Sequence, residues 1–160
     1  PEGYTVGVLV NANLGHRQEL RIDGRLLSLP EVPAPLRKTE GSILIVVATD
    51  APLSCLQLQR LARRAAMGLA RTGSCAHHGS GDLILAFSTA NGLPRGWKGP
   101  RSWTLLPDQE LDGLYRAAVE ACEESVLNSL WWAQTCQGRD GNTAWALPHG
   151  ALSGPGFLPD

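Results

Sequence analysis

The chain has no apolar run of the roughly 18 residues that a membrane-spanning helix needs. It also has no leader in which a basic start is followed by an apolar stretch and small residues. We therefore expect neither a membrane protein nor a secretory signal. Residue 1 is a proline rather than an initiating methionine, which predicts a fragment or a processed piece of a longer protein.

An excess of charge of either sign is also missing. Lys and Arg total 14, Asp and Glu total 15, and the formal net charge is −1. Proteins that bind nucleic acid or an anionic membrane surface usually carry a basic face. We therefore expect no nucleic-acid partner and no membrane partner.

Cysteine is sparse, and no CxxC pair is present. The histidines are not spaced as zinc ligands usually are, and a small disulfide-stabilised domain would have a denser set of cysteines. We expect reduced thiols, no metal and no cofactor, in a cytoplasmic protein. The four cysteines are Cys55, Cys75, Cys122 and Cys136.

Hydrophobic residues make up 43% of the chain and charged residues 18%, which is typical of a globular protein. Apolar runs predict three strands, and apolar residues at helical spacing predict two helices. Strands and helices in this order indicate a layered α/β domain. The strands are Tyr4–Asn13, Ser42–Asp50 and Asp82–Ala90; the first helix covers Leu58–Leu69 and stops at Gly73, and the second runs from Pro107-Asp108 to Gly138.

Two finer predictions concern strand packing. The five consecutive apolar residues Ile43–Val47 indicate a strand that is buried on both faces. The segment Glu19–Ile22, closed by the turn sequence Asp23-Gly24, is predicted to be the hairpin partner of the first strand.

The junction Gly41-Ser42 joins an exposed, proline-containing connection to a buried strand. If the peptide bond between these residues is cut, the hydroxyl of Ser42 lies beside its own α-amine, whose usual pKa of about 7.7–8.0 makes it a general base near neutral pH. Glycine at position 41 removes a side chain that would crowd attack on the preceding carbonyl. The alternative is an ordinary loop-to-strand junction.

A second candidate is the segment Gly79-Ser80-Gly81-Asp82, which leads directly into a strand. In an extended segment, Ser80 and Asp82 lie on the same side. Such a pair can orient a hydroxyl and stabilise a nearby ammonium. The alternative is a glycine turn followed by a solvated aspartate.

A third candidate lies at the end of the first strand, where Asn11 and Asn13 share one face. An amide NH₂ is a suitable donor to a developing oxyanion. The alternative is a pair of turn-forming asparagines before Gly15.

These segments together resemble the L-aminopeptidase/D-esterase family, which includes the DmpA-type enzymes and the β-peptidyl aminopeptidases. The resemblance spans nearly all of residues 4–149, and the ATDAPL and GSGD motifs are its most specific parts. Asn11 and Leu14 stand where the family has glutamine and an aromatic residue. The matching segments are VGVLVNANLG (6–15), GSILIVVATDAPLSCLQLQRLARRAAMGLARTGS (41–74), HHGSGDLILAFSTAN (77–91) and GRDGNTAWALPH (138–149).

The resemblance implies that Ser42 is a nucleophile freed by self-cleavage after Gly41. It implies that Ser80 and Asp82 support this nucleophile and that Asn13 donates to the oxyanion. The implied fold is a four-layer α/β/β/α sandwich of the DmpA type, incomplete in this chain because the N-terminal half is absent. The implied partners are a short peptide or an amino-acid amide or ester as substrate, and either further copies of the chain or an α-type chain.

The expected organisation has three parts. Residues 1–41 correspond to the end of the α-like part and a linker, residues 42–149 to the β-like catalytic part, and residues 150–160 to a flexible tail. The expected function is a self-processing serine aminopeptidase or amidase. One alternative is a truncated, inactive homologue that acts as a structural or interaction module; another is a self-cleaving acyltransferase, in which threonine would be expected at position 42.

Overall fold

The structure, a computed structural model, describes residues 3–33 and 41–152, with the backbone alone at residues 151 and 152. Its longest elements are three strands and two helices, and short 3-10 turns and two small hairpins connect them. In chain order the elements are β1 (Val6–Asn13), β2 (Arg21–Ile22), β3 (Arg25–Leu26), β4 (Ser42–Thr49), α1 (Cys55–Arg71), β5 (Leu83–Ser88), α2 (Asp112–Trp131), β6 (Cys136–Gln137) and β7 (Thr143–Ala144).

The main sheet has the order β1-β4-β5, so the three predicted strands are confirmed. Strand β4 is central, pairs antiparallel with β1 and pairs parallel with β5. The parallel step is a β4-α1-β5 crossover, in which the helix covers one face of the sheet.

The predicted hairpin partner of β1 is wrong. β1 pairs with β4, whereas Ile22 pairs with Arg25 in the small β2-β3 hairpin. The Asp23-Gly24 turn closes this hairpin with positive φ at both residues (51° and 71°), as a tight two-residue turn requires. A 3-10 turn at Arg17–Glu19 separates the hairpin from β1.

Helix α1 has well-defined ends. Ser54 and Gln57 form a capping box, in which each side chain accepts a hydrogen bond from the other residue's backbone N–H. Gly73 follows the last turn with φ of +100°, and a Cβ there would lie 1.8 Å from the carbonyl oxygen of Glu19. The predicted stop at Gly73 is therefore confirmed, since only glycine fits both restraints.

Helix α2 is shorter than predicted at both ends. It begins at Asp112 rather than at Pro107-Asp108, because residues 108–110 form a 3-10 turn. The carboxylate of Asp108 caps no helix; it accepts hydrogen bonds from Gln57 and Arg60 of α1. The helix ends at Trp131, since the following residues turn into the β6-β7 hairpin.

Both helices pack on the same face of the main sheet. The core between them contains alternate residues of β4 together with one apolar stripe of each helix. Its fully buried members include Ile43, Ile45, Val47, Leu61, Ala65, Leu114, Ala118 and Cys122. No helix within residues 3–33 and 41–152 is long and apolar enough to cross a membrane.

The opposite face of the sheet is open, and we call it the open face. Five large apolar side chains lie exposed on it: Leu9, Leu44, Leu83, Leu85 and Phe87. The prediction that β4 is buried on both faces is therefore wrong for this chain, since Leu44 is 48% exposed. The described residues supply a helical layer on one side of the sheet only.

Two predicted parts fall partly outside the described residues. The connection before Ser42 is described up to residue 33 and again from Gly41, and the predicted tail is described only as far as residue 152. The division of the chain at residues 41 and 149 stays a prediction.

Candidate active site

Ser42 is the first residue of β4, and its side chain lies on the open face. Its neighbour Ile43 is fully buried in the core, so the strand is anchored directly after the serine. The Oγ of Ser42 accepts a hydrogen bond from the backbone N–H of Gly81 at 3.0 Å. The serine hydroxyl is therefore held at the end of the sheet where β4 begins.

The loop that enters β5 contacts the start of β4 at two points. Besides the Gly81 contact, the Oδ1 of Asp82 accepts a hydrogen bond from the backbone N–H of Ile43 at 3.2 Å. The same oxygen accepts a hydrogen bond from the Oγ of Ser80 at 2.5 Å. The structure thus brings together Ser42, Ser80 and Asp82, the residues that the sequence singled out.

Gly81 allows this close approach. A Cβ at this position would lie 3.2 Å from the Oγ of Ser42, which is tighter than ordinary van der Waals contact. Sequence reasoning gave roles to Ser80 and Asp82 but missed the backbone N–H of the glycine between them. The glycine itself was the available signal, since a residue without a side chain often marks a close approach to another group.

Gly41 lies against the end of β1. A Cβ at this position would lie 2.7 Å from the carbonyl oxygen of Asn13 and 2.9 Å from the Cα of Leu14. Both are backbone atoms, so no side chain fits at position 41 without a shift of the main chain. Glycine is thus favoured at position 41 for two reasons. The sequence predicted the first, that a side chain would crowd attack on the carbonyl before Ser42, and the packing against β1 is the second.

Asn13 pairs directly with Ser42 in the antiparallel register, and Asn11 pairs with Leu44 one step further along. Both asparagines therefore lie on the open face, as their spacing predicts. Directly opposed residues have Cβ atoms about 4.5–5.5 Å apart, so the amide of Asn13 is the nearer one to the serine. Its side chain is exposed at the edge of the sheet.

This arrangement has a clear chemical capacity. A backbone N–H that donates to the serine oxygen stabilises negative charge on that oxygen and leaves the hydroxyl proton free for transfer to a base. An exposed amide on the neighbouring strand can donate to a second developing oxyanion. A carboxylate lies on the other side, hydrogen-bonded to the backbone of the residue after the serine.

Comparisons with known proteins find peptidases. The model of peptidase family S58 matches residues 1–144. The β-peptidyl aminopeptidase BapA of Sphingosinicella xenopeptidilytica is 41% identical over 167 residues, an alignment that covers 94% of this chain and 41% of that enzyme.

Solved structures are similar as well. The β-aminopeptidase of a Burkholderia species superposes with a TM-score of 0.85 at 39% identity, covering 98% of this chain and 46% of that one. The L-aminopeptidase D-Ala-esterase/amidase of Ochrobactrum anthropi is a prototype of the serine aminopeptidases, with a variant of the Ntn hydrolase fold. It superposes with a TM-score of 0.78 at 37% identity, covering 93% of this chain and 42% of that one.

The chain thus spans less than half the length of the relatives that it matches. The family match, residues 1–144, includes both the start of β4 and the loop that enters β5. The sequence resemblance and the expected α/β fold class are confirmed. The chain belongs to peptidase family S58, with the Ntn hydrolase fold of its solved relatives.

Proposed function

We propose that this chain carries the nucleophile of a self-processing serine aminopeptidase or amidase that acts on short peptides with a free amino end. The observation that supports this most is the hydrogen bond from the Gly81 N–H to the Oγ of Ser42 at the start of β4. The names of the relatives, which are aminopeptidases, support the reaction class.

The first step is cleavage of the bond between Gly41 and Ser42. The Oγ of Ser42 attacks the carbonyl carbon of Gly41 and its proton passes to the departing nitrogen, so an ester replaces the peptide bond. Water then hydrolyses the ester, which leaves a carboxylate on Gly41 and a free α-amine on Ser42. The absence of a side chain at Gly41 keeps its carbonyl accessible.

The second step is turnover of substrate. The freed α-amine accepts the proton of the Ser42 hydroxyl while the oxygen attacks the acyl carbon of the substrate, and the amine then protonates the leaving group. Water hydrolyses the resulting acyl-serine ester, which releases the acid and restores the hydroxyl of Ser42. In this proposal Asn13 donates to the oxyanion, which the register opposite Ser42 supports. Asp82, steadied by Ser80, supplies negative charge beside the ammonium form of the amine.

We further propose that an α-type chain covers the open face. Five large apolar side chains are exposed there, and more than half the length of the relatives has no counterpart in this chain. An exposed apolar surface of this kind is typical of an interface. Replacing Leu85 with lysine is expected to abolish co-purification with such a chain, whereas a second copy of this chain on the same face would appear as a dimer by light scattering.

A cytoplasmic location is also part of the proposal. It is supported by the free thiols of Cys55, Cys75 and Cys136, all of which are exposed. Exposed free thiols are maintained most readily in a reducing compartment. Fractionation of the native host would test it.

An intact-mass measurement of the purified protein tests the self-cleavage. We expect two pieces that meet at Gly41-Ser42, together with hydrolysis of amino-acyl nitroanilides. Ser42→Ala is expected to abolish both, while Ser102→Ala, a serine exposed in a remote loop, should change neither. Continued splitting of Ser42→Ala would assign the cut to another protease.

A second candidate function is an inactive interaction module, which the exposed apolar face favours. In that case the mass spectrum would show a single uncut chain without hydrolase activity, yet the chain would still bind a partner through the open face. Binding that is lost in Leu85→Lys and unchanged in Ser42→Ala would identify this module.

A further inference from the structure

A second cluster of polar side chains lies beside the candidate active site and takes no part in the proposed reaction. His16, Glu19 and His77 offer one ligand atom each, and these atoms all lie within 4.8 Å of one another. The Nε2 of His77 is 2.9 Å from the Oε2 of Glu19, and the rings of His16 and His77 meet edge to face with centroids 4.5 Å apart. The three residues come from segments about sixty positions apart in the sequence.

Cys75 lies next to this cluster and contacts one of its members, His77. Its Sγ lies 3.3 Å from the Nε2 of His77 and 3.5 Å from Nδ1. Nε2 is therefore the ring nitrogen nearer to the thiol, and it also contacts Glu19. The two distances are nearly equal, so the thiol lies against the imidazole ring, and its side chain has to rotate to reach a centre shared with Glu19.

The donor types fit one class of metal. Two imidazoles, a carboxylate and a thiolate form a set that zinc binds in tetrahedral geometry. With metal–nitrogen and metal–oxygen bonds of about 2.0–2.1 Å and a metal–sulfur bond of about 2.3 Å, neighbouring ligand atoms lie about 3.3–3.6 Å apart. The two shortest separations, 2.9 and 3.3 Å, are slightly shorter than this, and the ligand atoms of His16, Glu19 and His77 lie within 4.8 Å of one another, so side-chain rotations are needed to admit the ion.

The charge state of the cluster suits a cation. Glu19 supplies a carboxylate, which is negatively charged at neutral pH. A simple ion pair between Glu19 and His77 accounts for the contact between them alone. It does not account for His16, whose ligand nitrogen lies within 4.8 Å of the ligand atoms of both residues.

We propose that His16, Glu19 and His77 form a binding site for a divalent transition metal of the zinc class, and that Cys75 becomes the fourth ligand once its side chain rotates towards the ion. The site would join the segment after Asn13 to the loop before Ser80. The carbonyl of His77 accepts a hydrogen bond from the N–H of Ser80 at 2.8 Å. A metal bound here therefore fixes the loop that supplies Gly81 and Asp82 to the candidate active site, as a structural clamp.

Metal binding can be measured without any enzyme assay. The purified protein, together with any chain that co-purifies with it, is dialysed against chelator and titrated with Zn²⁺, and the bound metal is quantified. We expect one ion per chain and a higher thermal midpoint. With Co²⁺ as a probe, we expect the visible absorption of a tetrahedral site and a sulfur-to-metal charge-transfer band that disappears in Cys75→Ser.

Matched variants locate the site. His16→Asn, Glu19→Gln and His77→Asn are each expected to weaken Zn²⁺ binding at least about 100-fold, since loss of a ligand should exceed the 10–100-fold cost of losing an outer-shell partner. His78→Asn, which changes the exposed neighbouring histidine, should bind like the parent. Equal affinity in all four variants, or no binding to the parent, would overturn the proposal.

Alkylation of the thiols gives an independent readout. Zn²⁺ should slow the reaction of Cys75 with iodoacetamide, because the metal-bound thiolate is no longer free. Cys55 and Cys136 are exposed and lie in other elements, α1 and β6, so their rates should not change. If zinc leaves the rate at Cys75 unchanged, the thiol is not a ligand and the four-ligand site is wrong.

Discussion

The Oγ of Ser42 accepts a hydrogen bond from the N–H of Gly81 at 3.0 Å, although 39 positions separate the two residues. The sheet explains why they meet. β4 and β5 are parallel neighbours, and Leu44 pairs with Leu83. Two residues earlier on each strand, the same register leads to Ser42 and Gly81. The contact is therefore a consequence of the β4-α1-β5 crossover.

Gly81→Ala tests this contact directly. The new Cβ would lie 3.2 Å from the Oγ of Ser42, so the hydroxyl must move by a few tenths of an ångström. We expect kcat/KM for an amino-acyl nitroanilide to fall about 10–100-fold, because small misplacements of reacting groups are costly. The free energy of unfolding should change by less than about 1 kcal/mol, since the contact lies at the end of the strands and outside the core. Unchanged kinetics would remove Gly81 from the proposed site.

Gly41→Ala tests the self-cleavage. Its Cβ would meet the carbonyl oxygen of Asn13 at 2.7 Å and the Cα of Leu14 at 2.9 Å. Since both atoms belong to the backbone, the peptide bond before Ser42 has to move away from its position. We expect self-cleavage to slow about tenfold or more, as followed by intact mass over time. Gly92→Ala, where a Cβ has no neighbour within 4 Å, serves as the control and should be cut like the parent.

The sequence predicts the strands and the candidate site better than it predicts the contacts between them. Apolar runs correctly indicated β1, β4 and β5, because such runs depend on local pattern alone. The approach of Gly81 to Ser42 depends on which strands are neighbours, and no local signal specifies that. Only the family resemblance linked the two segments. The same limit applies to the pairing of β1. The nearest turn in sequence predicted Glu19–Ile22 as its partner, whereas β1 pairs with β4.

The predictions of the ends of α2 and of the burial of β4 were wrong for related reasons. The apolar residues at helical spacing reach Leu130, and the helix was expected to continue to the next glycine, Gly138. The chain instead turns after Trp131 to form the β6-β7 hairpin. Aspartate often caps helices, yet the carboxylate of Asp108 contacts Gln57 and Arg60 of α1. The apolar run in β4 indicates a strand that is buried on both faces. It does not indicate whether the layer that covers the second face belongs to the same chain.

The contact between the two helices gives a stability prediction. A Cβ at Gly68 of α1 would lie 2.2 Å from the carbonyl oxygen of Val119 and 2.9 Å from the Cβ of Cys122 in α2. Gly68→Ala therefore forces the helices apart, at a cost of about 1–3 kcal/mol. The higher helix propensity of alanine offsets up to about 1 kcal/mol of this. We expect a net loss of about 1–2 kcal/mol in urea unfolding, whereas Met67→Ala, at a position 57% exposed, should be within about 0.5 kcal/mol of the parent.

The Asp108 contacts predict a dependence of stability on pH. Hydrogen bonds from Gln57 and then from Arg60 lower the pKa of the Asp108 carboxyl below its usual 3.8. A carboxyl whose pKa is lower in the folded protein stabilises the fold above the unfolded pKa, and this stabilisation is lost as the pH falls through the folded pKa. Asp108→Asn should therefore be less stable than the parent at pH 7, and the difference should shrink below about pH 4.

Urea unfolding at a series of pH values measures the Asp108 effect. Glu110→Gln is the matched control, since Glu110 lies on the same 3-10 turn and is exposed. Its difference from the parent should stay small at each pH. If Asp108→Asn and the parent lose stability in parallel down to pH 3, the carboxylate does not stabilise the contact between its turn and α1.

Cys122 is the one cysteine in the core, and burial raises its pKa from 9.0 to about 11. The thiolate is the reactive form, so at pH 8 this difference reduces the thiolate fraction about 100-fold. Packing between the helices also shields the sulfur from reagents. In native protein without added zinc, iodoacetamide should modify Cys55, Cys75 and Cys136 first, and Cys122 only after addition of denaturant, as mass spectrometry would resolve.

The raised pKa of Cys122 also predicts a dependence of stability on pH. Because it favours the neutral thiol in the folded state, the contribution of this thiol to stability is complete below about pH 9 and declines as the pH rises towards 11. Cys122→Ala should remove that alkaline decline, and four adducts formed at equal rates in the native protein would show that the two helices do not pack around this thiol.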